Sequence, residues 1–229
     1  MAATITGISS MATRQILTEL CDAYRTRTGQ AVAIESIGGV DAARRVRAGE
    51  TFDIVVLADD AMKQLEADGF LKPGSRAGFA RSAMAVAIRE GARRPDLTTG
   101  ASLKAAMLAA KSIGYSTGPS GTHVLNLLKT WNVDQAVAAR LVKAPPGIPV
   151  GTLVARGEAE LGFQQLSEFL GVPGIEIAGP LPADVQSVTL FGCGVCAQAS
   201  NEAGARDLIT YLTSAEADAP KRRQGMEPA

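Results

Sequence analysis

The sequence predicts an α/β fold in which mostly parallel sheets are flanked by helices. Short apolar runs alternate with amphipathic helical segments along the chain, a pattern typical of parallel sheets covered by helices. The chain has 229 residues, enough for one large domain or for two lobes of roughly 100 residues each. Hydrophobic residues make up 46% and charged residues 20%, which excludes a largely disordered protein.

The strand–helix units are clearest in the first third of the chain. Apolar positions from Ile16 to Tyr24 follow helical spacing, and Gly29 is a suitable helix stop. The predicted strands there are 4–8, 31–37 and 52–58, and the helices that follow the second and third are 40–48 and 61–68.

The same alternation continues downstream. Further strands are predicted at 82–89, 112–116, 141–144, 161–163, 175–181 and 185–197, and helices at 102–110, from 124 to 131, at 150–156 and at about 202–212. Residues 73–79 and 91–100 are predicted to be loops, and the chain from 217 onward is predicted to be a polar tail.

Charge and composition limit the classes of partner. The chain has 23 basic and 23 acidic residues and no basic stripe, and aromatic residues make up only 4%, so nucleic-acid binding is not expected. No apolar run approaches the roughly 20 residues that a membrane helix needs. We therefore expect a small-molecule partner without nucleic acid and without membrane insertion.

The cysteines and the N-terminal residues bear on location. An odd set of three cysteines, Cys21, Cys193 and Cys196, suits a reducing compartment better than a disulfide framework. The sequence starts without the basic and apolar stretches of a secretory signal, so we expect a cytoplasmic protein, or a periplasmic one from which an export signal has been removed. Cys193 and Cys196 lie inside a predicted strand, where residues three apart face opposite sides. They are therefore predicted to be buried structural thiols, and neither a metal nor a cofactor is expected.

Four turns share one design, in which a strand ends, small or hydroxyl residues follow, and a helix begins. Helix N-termini attract anions, small residues let a ligand approach the backbone, and ligands of open α/β sheets sit at the carboxyl ends of strands. Together the turns predict a site for a small oxyanion or carboxylate, although each turn alone is also explained by helix capping. The four turns are residues 9–10, 38–39, 116–122 and 149–151. The ligand-binding candidates in or directly beside them are Ser9, Ser10, Gly38, Gly39, Val40, Ser116, Ser120, Gly121, Thr122, Pro149 and Val150.

Five further side chains are candidates for proton transfer or ligand contact. His123, the single histidine, lies just inside a predicted helix, whose N-terminus favours a neutral ring that can exchange a proton. It could also be a surface residue without a role. Arg14 could grip a carboxylate or be a solvated helix charge. Asp59 is a second candidate base or a helix cap, and Gln164 and Gln165 could donate hydrogen bonds to a polar ligand or form an exposed strand end.

Several segments, in this order, carry a resemblance to a known family. The chain resembles the molybdate-binding-like branch of solute-binding proteins with the type II periplasmic-binding-protein fold, a branch that also includes aconitate isomerase-like relatives. The matching segments are Gly38 to Arg45 (GGVDAARR), Gly49 to Val56 (GETFDIVV), Lys111 to Ser116 (KSIGYS), Leu153 to Gly162 (LVARGEAELG), Gly179 to Pro182 (GPLP) and Gly225 to Pro228 (GMEP).

The resemblance implies two α/β lobes joined by a two-strand hinge, with the ligand held in the cleft between them. Lobe I would comprise residues 1–82 plus 192–229, and lobe II residues 83–191. In this family the ligand meets loops that match the four turns singled out above.

Two functions from different classes remain open. The first is an intracellular isomerase that moves an allylic proton, or interconverts the cis and trans double bond, in a small unsaturated carboxylic acid such as aconitate. In that case His123 or else Asp59 moves the proton, while Arg14 and helix N–H groups stabilise the enolate-like charge. The second is a substrate-binding protein of an ABC importer for a molybdate-like oxyanion or a small carboxylate, with a permease as its partner.

Overall fold

The computed structural model describes residues 3–229, and in this range the chain forms ten β-strands and ten α-helices. The strands are β1 (Ile5–Ser10), β2 (Val32–Ile37), β3 (Ile54–Ala58), β4 (Ala77–Arg89), β5 (Ile113–Tyr115), β6 (Leu141–Lys143), β7 (Leu161–Gln165), β8 (Ile175–Pro180), β9 (Val188–Val195) and β10 (Glu227–Pro228). The helices are α1 (Arg14–Thr28), α2 (Gly39–Arg47), α3 (Asp59–Ala67), α4 (Gly100–Ala109), α5 (Pro119–Thr130), α6 (Asp134–Val137), α7 (Val150–Ala155), α8 (Leu166–Phe169), α9 (Glu202–Leu212) and α10 (Asp218–Arg223).

The chain divides into two compact units. Unit 1 comprises the described residues up to Ser82 together with Thr189–Ala229, and unit 2 comprises Ala83–Val188. The first boundary lies inside β4, and the second lies directly after the first residue of β9.

Unit 1 is built on a mixed sheet. β1 pairs in parallel with β2 and with β3, so that Ile5 lies opposite Val32 and Gly7 opposite Ile54. β9 runs antiparallel to β3, and β10 runs antiparallel to β4. β3 is an almost continuous run of buried apolar residues because both faces of this sheet are covered. One apolar cluster contains Leu20 and Phe79, and the other contains Leu57 and Met62.

Unit 2 is also built on a mixed sheet of parallel and antiparallel strands. β5 pairs in parallel with β6 and β7, while β4 runs antiparallel to β7 and β8. Two apolar clusters fill this unit, one around Leu128 and Phe163 and the other around Val150 and Phe169. The predicted α/β fold is confirmed, although the antiparallel β4, β8, β9 and β10 make the sheets mixed rather than mostly parallel.

Three boundary predictions are wrong, and each has a physical cause. β1 extends through Ser9 and Ser10, so neither hydroxyl caps a helix. β4 already begins at Ala77, inside the predicted loop, because β9 lies beside it in the sheet and β10 pairs with its Ala80 and Arg81. The predicted polar tail folds into α10 and β10, and Lys221 within it is only 1% exposed.

None of the helices within residues 3–229 has both the length and the apolar content needed to span a bilayer.

Candidate functional site

Ser10 and the N-terminus of α2 lie side by side in unit 1. A Cβ placed on Gly39 would come within 3.5 Å of the Ser10 Cβ, so glycine keeps the approach to this serine open. The first hydrogen bond of α2 runs from the Ala42 N–H to the Gly38 carbonyl, which leaves the amides of residues 39–41 ahead of it, and no side chain caps the helix. Val40 is 62% exposed there.

The Ser10 hydroxyl is buried and has no hydrogen-bond partner among residues 3–229. Such groups are rare in folded proteins, because an unpaired buried hydroxyl costs free energy. The hydroxyl and the α2 amides are both donors, so together they suit an oxygen atom of an anionic ligand.

The other predicted residues after β1 differ from Ser10. The Ser9 hydroxyl lies 2.8 Å from the Ser36 hydroxyl, and the Thr13 hydroxyl donates to the Ser10 carbonyl at 3.0 Å. Both groups therefore stabilise the turn itself. Arg14 is the first residue of α1 and is exposed.

In unit 2, the turn between β5 and α5 is very tightly packed. The Ser116 and Ser120 hydroxyls lie 3.1 Å apart, and Ser120 is only 2% exposed. A Cβ on Gly121 would lie 1.6 Å from the Ser116 carbonyl oxygen, so only glycine fits there. The first hydrogen bond of α5 runs from the exposed Thr122 to Gly118. The amides of Ser120 and Gly121 precede that bond, and they form a second group of donors suited to an anion.

His123 follows in the same helix and is partly buried. Its Nε2 atom lies 2.8 Å from the Val185 carbonyl oxygen. Because a carbonyl only accepts, Nε2 must carry the hydrogen, and in the neutral ring Nδ1 then holds the lone pair. The contact fixes the ring and leaves Nδ1 as its basic atom.

The start of α7 is occupied by a side chain that lies 14 residues further along the chain. The Val150 N–H, which follows Pro149, donates to Gln164 Oε1 at 2.9 Å, and Gln164 Nε2 donates to Glu168 Oε2 at 2.6 Å. Gln164 and its neighbour Gln165 are buried inside β7 rather than exposed after it. The structure thus brings Val150 and Gln164 together, with the glutamine as the partner of the amide.

Glu168 is a functional candidate that the sequence analysis did not single out. Burial raises the pKa of its carboxyl to about 8, although hydrogen bonds from the Gln164 side chain and the Gln165 backbone oppose the rise. No local pattern in the sequence points to it, because Gln164 lies in β7 and Glu168 in the separate helix α8. The burial that shifts its pKa arises from tertiary packing.

Asp59 is held between two cations. It is the first residue of α3, and its carboxylate lies 2.8 Å from both Arg76 Nη1 and Lys63 Nζ. Both carboxylate oxygens are therefore in ion pairs, which favours a structural function. Its role as the second candidate base stays a prediction.

The cysteines are free thiols. Cys193 and Cys196 are buried and belong to different apolar clusters of unit 1, but only Cys193 lies in β9, since Cys196 follows the last residue of that strand. Burial raises the pKa of each to about 12, which suppresses the reactive thiolate. In the described part of the chain, no group of three His, Cys, Asp or Glu side chains is placed to hold a metal ion.

Comparison with known sequences covers nearly the whole chain. Residues 5–227 match the family described as bacterial extracellular solute-binding protein. Aconitate isomerase from Pseudomonas sp is 34% identical over 231 residues, and the match covers 98% of this chain and 88% of that protein.

Comparison with solved structures shows the fold. The periplasmic molybdate-binding protein of Azotobacter vinelandii superposes with a TM-score of 0.83 at 20% identity, covering 98% of this chain and 99% of that one. PEB3 of Campylobacter jejuni, solved with bound L-phospholactate, gives a TM-score of 0.75 at 16% identity and covers 98% and 100%. These likenesses confirm the resemblance to the type II periplasmic-binding-protein fold that the sequence motifs carry.

Proposed function

The chain belongs to the bacterial extracellular solute-binding protein family, and from this premise we propose that it binds a small carboxylic acid and acts on it as an isomerase. The substrate class is an unsaturated di- or tricarboxylate such as aconitate. The observation that carries the proposal is the similarity to an aconitate isomerase over 98% of the chain. Two groups of anion-suited donors, one in each unit, support it.

The proposed chemistry is an allylic proton shift. A base removes a proton from the carbon beside the double bond, and the electron pair spreads over the allylic carbons and a carboxylate. A proton then returns at the other allylic carbon, so the double bond moves without net oxidation or reduction. We assign the proton transfer to Nδ1 of His123, whose ring is fixed by Val185.

Hydrogen-bond donors would stabilise the charge that develops on the substrate carboxylate. In unit 1 these are the Ser10 hydroxyl and the first amides of α2, and in unit 2 the Ser120 hydroxyl and the first amides of α5. Arg14 is exposed at the start of α1 and is free to approach a carboxylate. That one ligand takes donors from both units stays a prediction from the resemblance.

The test is to incubate the protein with cis-aconitate and with trans-aconitate in D₂O and to follow both by NMR. We expect interconversion with deuterium incorporated at the allylic carbons. His123→Gln should lower kcat by roughly 100-fold or more, the usual contribution of a general base. Lys129→Gln, at the exposed end of the same helix, serves as the matched control. If the unaltered protein converts no unsaturated acid, the isomerase proposal is wrong.

A solute-binding function is the second candidate, and the family match together with the fold of the molybdate-binding protein favours it. In that case molybdate, tungstate or a carboxylate binds tightly without turnover, and substitution of His123 changes affinity only. A permease would then be the partner.

The proposed cytoplasmic location rests on the three cysteines. All three are free thiols, and no pair of them forms a disulfide. Fractionation of the native host tests this location, since recovery from the periplasm would instead favour the carrier.

A further inference from the structure

The carbonyl group that fixes His123 lies in residues 181–187, a segment between β8 and β9 that is neither helix nor strand. This carbonyl belongs to Val185 and accepts the hydrogen bond from His123 Nε2 at 2.8 Å. The next residue, Gln186, binds the backbone of Met84 in β4 through its side chain. We propose that Gln186 is a positioning residue for His123, because it anchors the Val185 carbonyl to β4. This inference rests on the proposed function, in which His123 moves the proton.

The carboxamide of Gln186 pairs with β4 as a neighbouring strand would. Its Oε1 accepts from the Met84 N–H at 3.0 Å, and its Nε2 donates to the Met84 carbonyl at 3.1 Å. A carboxamide has both donor and acceptor groups, as a peptide unit has, so both backbone groups of Met84 are matched. The Met84 side chain is fully buried, and β4 pairs with β7 at this residue. Gln186 is therefore attached to a firmly packed part of unit 2.

The same carboxamide also connects the two ends of the segment. Its Nε2 donates to the Leu181 carbonyl at 3.3 Å, and its Oε1 accepts from the Ser187 N–H at 2.9 Å. Within the segment, the Val185 N–H donates to the Pro182 carbonyl at 3.0 Å and closes a turn. Removal of the carboxamide would release both ends of this turn and, with them, the Val185 carbonyl.

Asp184 holds the other side of Val185. Both of its carboxylate oxygens lie 3.0 Å from the Gly100 nitrogen at the start of α4. A Cβ placed on Gly100 would come within 2.8 Å of Val185 Cγ1, so Val185 also packs closely there. Asp184 is exposed, and water competes for its hydrogen bonds, whereas Gln186 is partly buried. Gln186 is accordingly the stronger of the two anchors.

The direction of the Val185 carbonyl decides which ring nitrogen of His123 can act as the base. The carbonyl only accepts, so Nε2 keeps the hydrogen and Nδ1 keeps the lone pair for the substrate proton. If the segment moves, the ring can turn and can exchange the hydrogen between its two nitrogens. Loss of Gln186 should therefore impair the chemical step more than the binding of the substrate.

Gln186→Met tests the proposal, because it removes the hydrogen bonds and keeps the length of the side chain. Met84 retains partners in this variant, since its N–H also donates to the Ser187 carbonyl at 3.1 Å and its carbonyl accepts from Leu181 at 3.2 Å. With cis-aconitate, we expect kcat to fall by about 10- to 100-fold, the effect of a displaced reacting group. KM should change by less than about twofold, because Gln186 lies outside both donor groups.

Two further variants complete the test. Gln135→Met, at an exposed position in α6, is the matched control and should leave kcat and KM unchanged. Gln186→Glu keeps the acceptor for the amides of Met84 and Ser187 but loses the donor to the carbonyls, so it should also lower kcat. An unaltered kcat in either Gln186 variant overturns the proposal.

A ligand-free measurement distinguishes failure of this inference from failure of the proposed function. His123 is the single histidine, so ¹⁵N spectra of the side chains show one imidazole ring. At alkaline pH, Nε2 should carry the hydrogen in the unaltered protein, and the two nitrogen signals should move towards each other in both Gln186 variants.

Unmoved signals in these variants, or a hydrogen on Nδ1 in the unaltered protein, overturn the positioning role even if acids are converted. If no acid is converted at all, the proposed function fails, while the ¹⁵N signals still decide whether Gln186 positions the ring.

Discussion

At the scale of single residues, Ser10 combines burial with an unpaired hydroxyl. Such a group costs roughly 1–3 kcal/mol, and a ligand oxygen that accepts a hydrogen bond from the hydroxyl would recover part of that cost. We predict that Ser10→Ala weakens cis-aconitate binding by about tenfold, the loss of one hydrogen bond. The ligand-free protein should be at least as stable as before. Titration calorimetry and thermal unfolding measure the two effects.

Ser9→Ala is the matched control for that substitution. The Ser9 hydroxyl is bonded to Ser36 at 2.8 Å, so its removal should lower stability by about 1 kcal/mol. A Ser10→Ala protein that is destabilised yet binds as tightly would contradict a ligand-binding role for this hydroxyl.

Asp53 shows how one residue fixes several segments of unit 1. It is fully buried, and it accepts hydrogen bonds from the Thr6 amide and hydroxyl, the Ser200 hydroxyl and the Asn201 amide at 2.7–3.1 Å. Burial alone would raise the pKa of Asp53, but these donors outweigh it, and the pKa is lowered. The carboxylate thus ties β1 to the start of α9.

We predict that Asp53→Asn lowers the free energy of unfolding by about 2–3 kcal/mol, because the amide nitrogen then faces donors. A lowered pKa in the folded state also means that Asp53 stabilises the protein above pH 4, roughly its pKa in the unfolded chain, and that this contribution is lost as the pH falls below 4. Urea unfolding from pH 3 to pH 7 measures both, and the variant should show the flatter profile. If the free energy of unfolding of Asp53→Asn depends on pH as steeply as that of the unaltered protein, Asp53 does not stabilise the fold as an ionised acceptor.

At the scale of elements, the sequence predicts best where a pattern is local. β3 is an uninterrupted apolar run and α2 begins at the second glycine of a pair, so the sequence predicts both elements to within two residues of their observed bounds. The close fit of Gly121 at the start of α5 also has a local cause, the short turn after β5. Small and hydroxyl residues likewise mark the turns in the sequence, whereas the binding of a ligand by these turns stays a prediction.

Partners that are distant in sequence could not be predicted. Tertiary packing, which no local pattern records, determines three features of the candidate site. They are the hydrogen bond from the Val150 N–H to Gln164, the raised pKa of Glu168 and the unpaired hydroxyl of Ser10. The polar composition after residue 217 likewise predicted a solvated tail. In the structure, α10 packs on unit 1 and buries Lys221, whose Nζ lies 5.1 Å from the centre of the Phe79 ring.

α10 gives a prediction about stability. Burial lowers the pKa of Lys221, and Asp218, at 3.9 Å, only partly opposes this. The charged lysine therefore destabilises the folded state at neutral pH, and this cost disappears as the pH rises towards about 10, where the unfolded chain also loses the proton.

We expect Lys221→Met to raise the free energy of unfolding at pH 7 by about 1 kcal/mol, with a smaller gain at pH 9.5. Chemical denaturation at both pH values is the measurement. Lys129→Met, at an exposed helix position, should change little at either pH. A loss of stability in Lys221→Met would show that the contacts with Asp218 and Phe79 outweigh the cost of burial.

At the scale of the whole molecule, the chain passes between its two units twice, after Ser82 and after Val188. Each unit has its own sheet pairings and its own two apolar clusters, so each has the core of a separately cooperative domain. The chain also carries one natural reporter in each unit. Trp131, the single tryptophan, lies in unit 2, and all three cysteines lie in unit 1.

These reporters show which unit a ligand stabilises. A ligand at 100 times its Kd adds about 2.7 kcal/mol, which corresponds to a rise in Tm of about 5–10 °C for a chain of this size. If one ligand takes donors from both units, cis-aconitate should delay the Trp131 fluorescence transition and the exposure of the buried Cys193 and Cys196 thiols by similar amounts. Ser10→Ala should then reduce both delays, although it alters unit 1 alone. A ligand that delays only one of the two signals binds one unit, and the donor groups of the other unit would then have no part in binding.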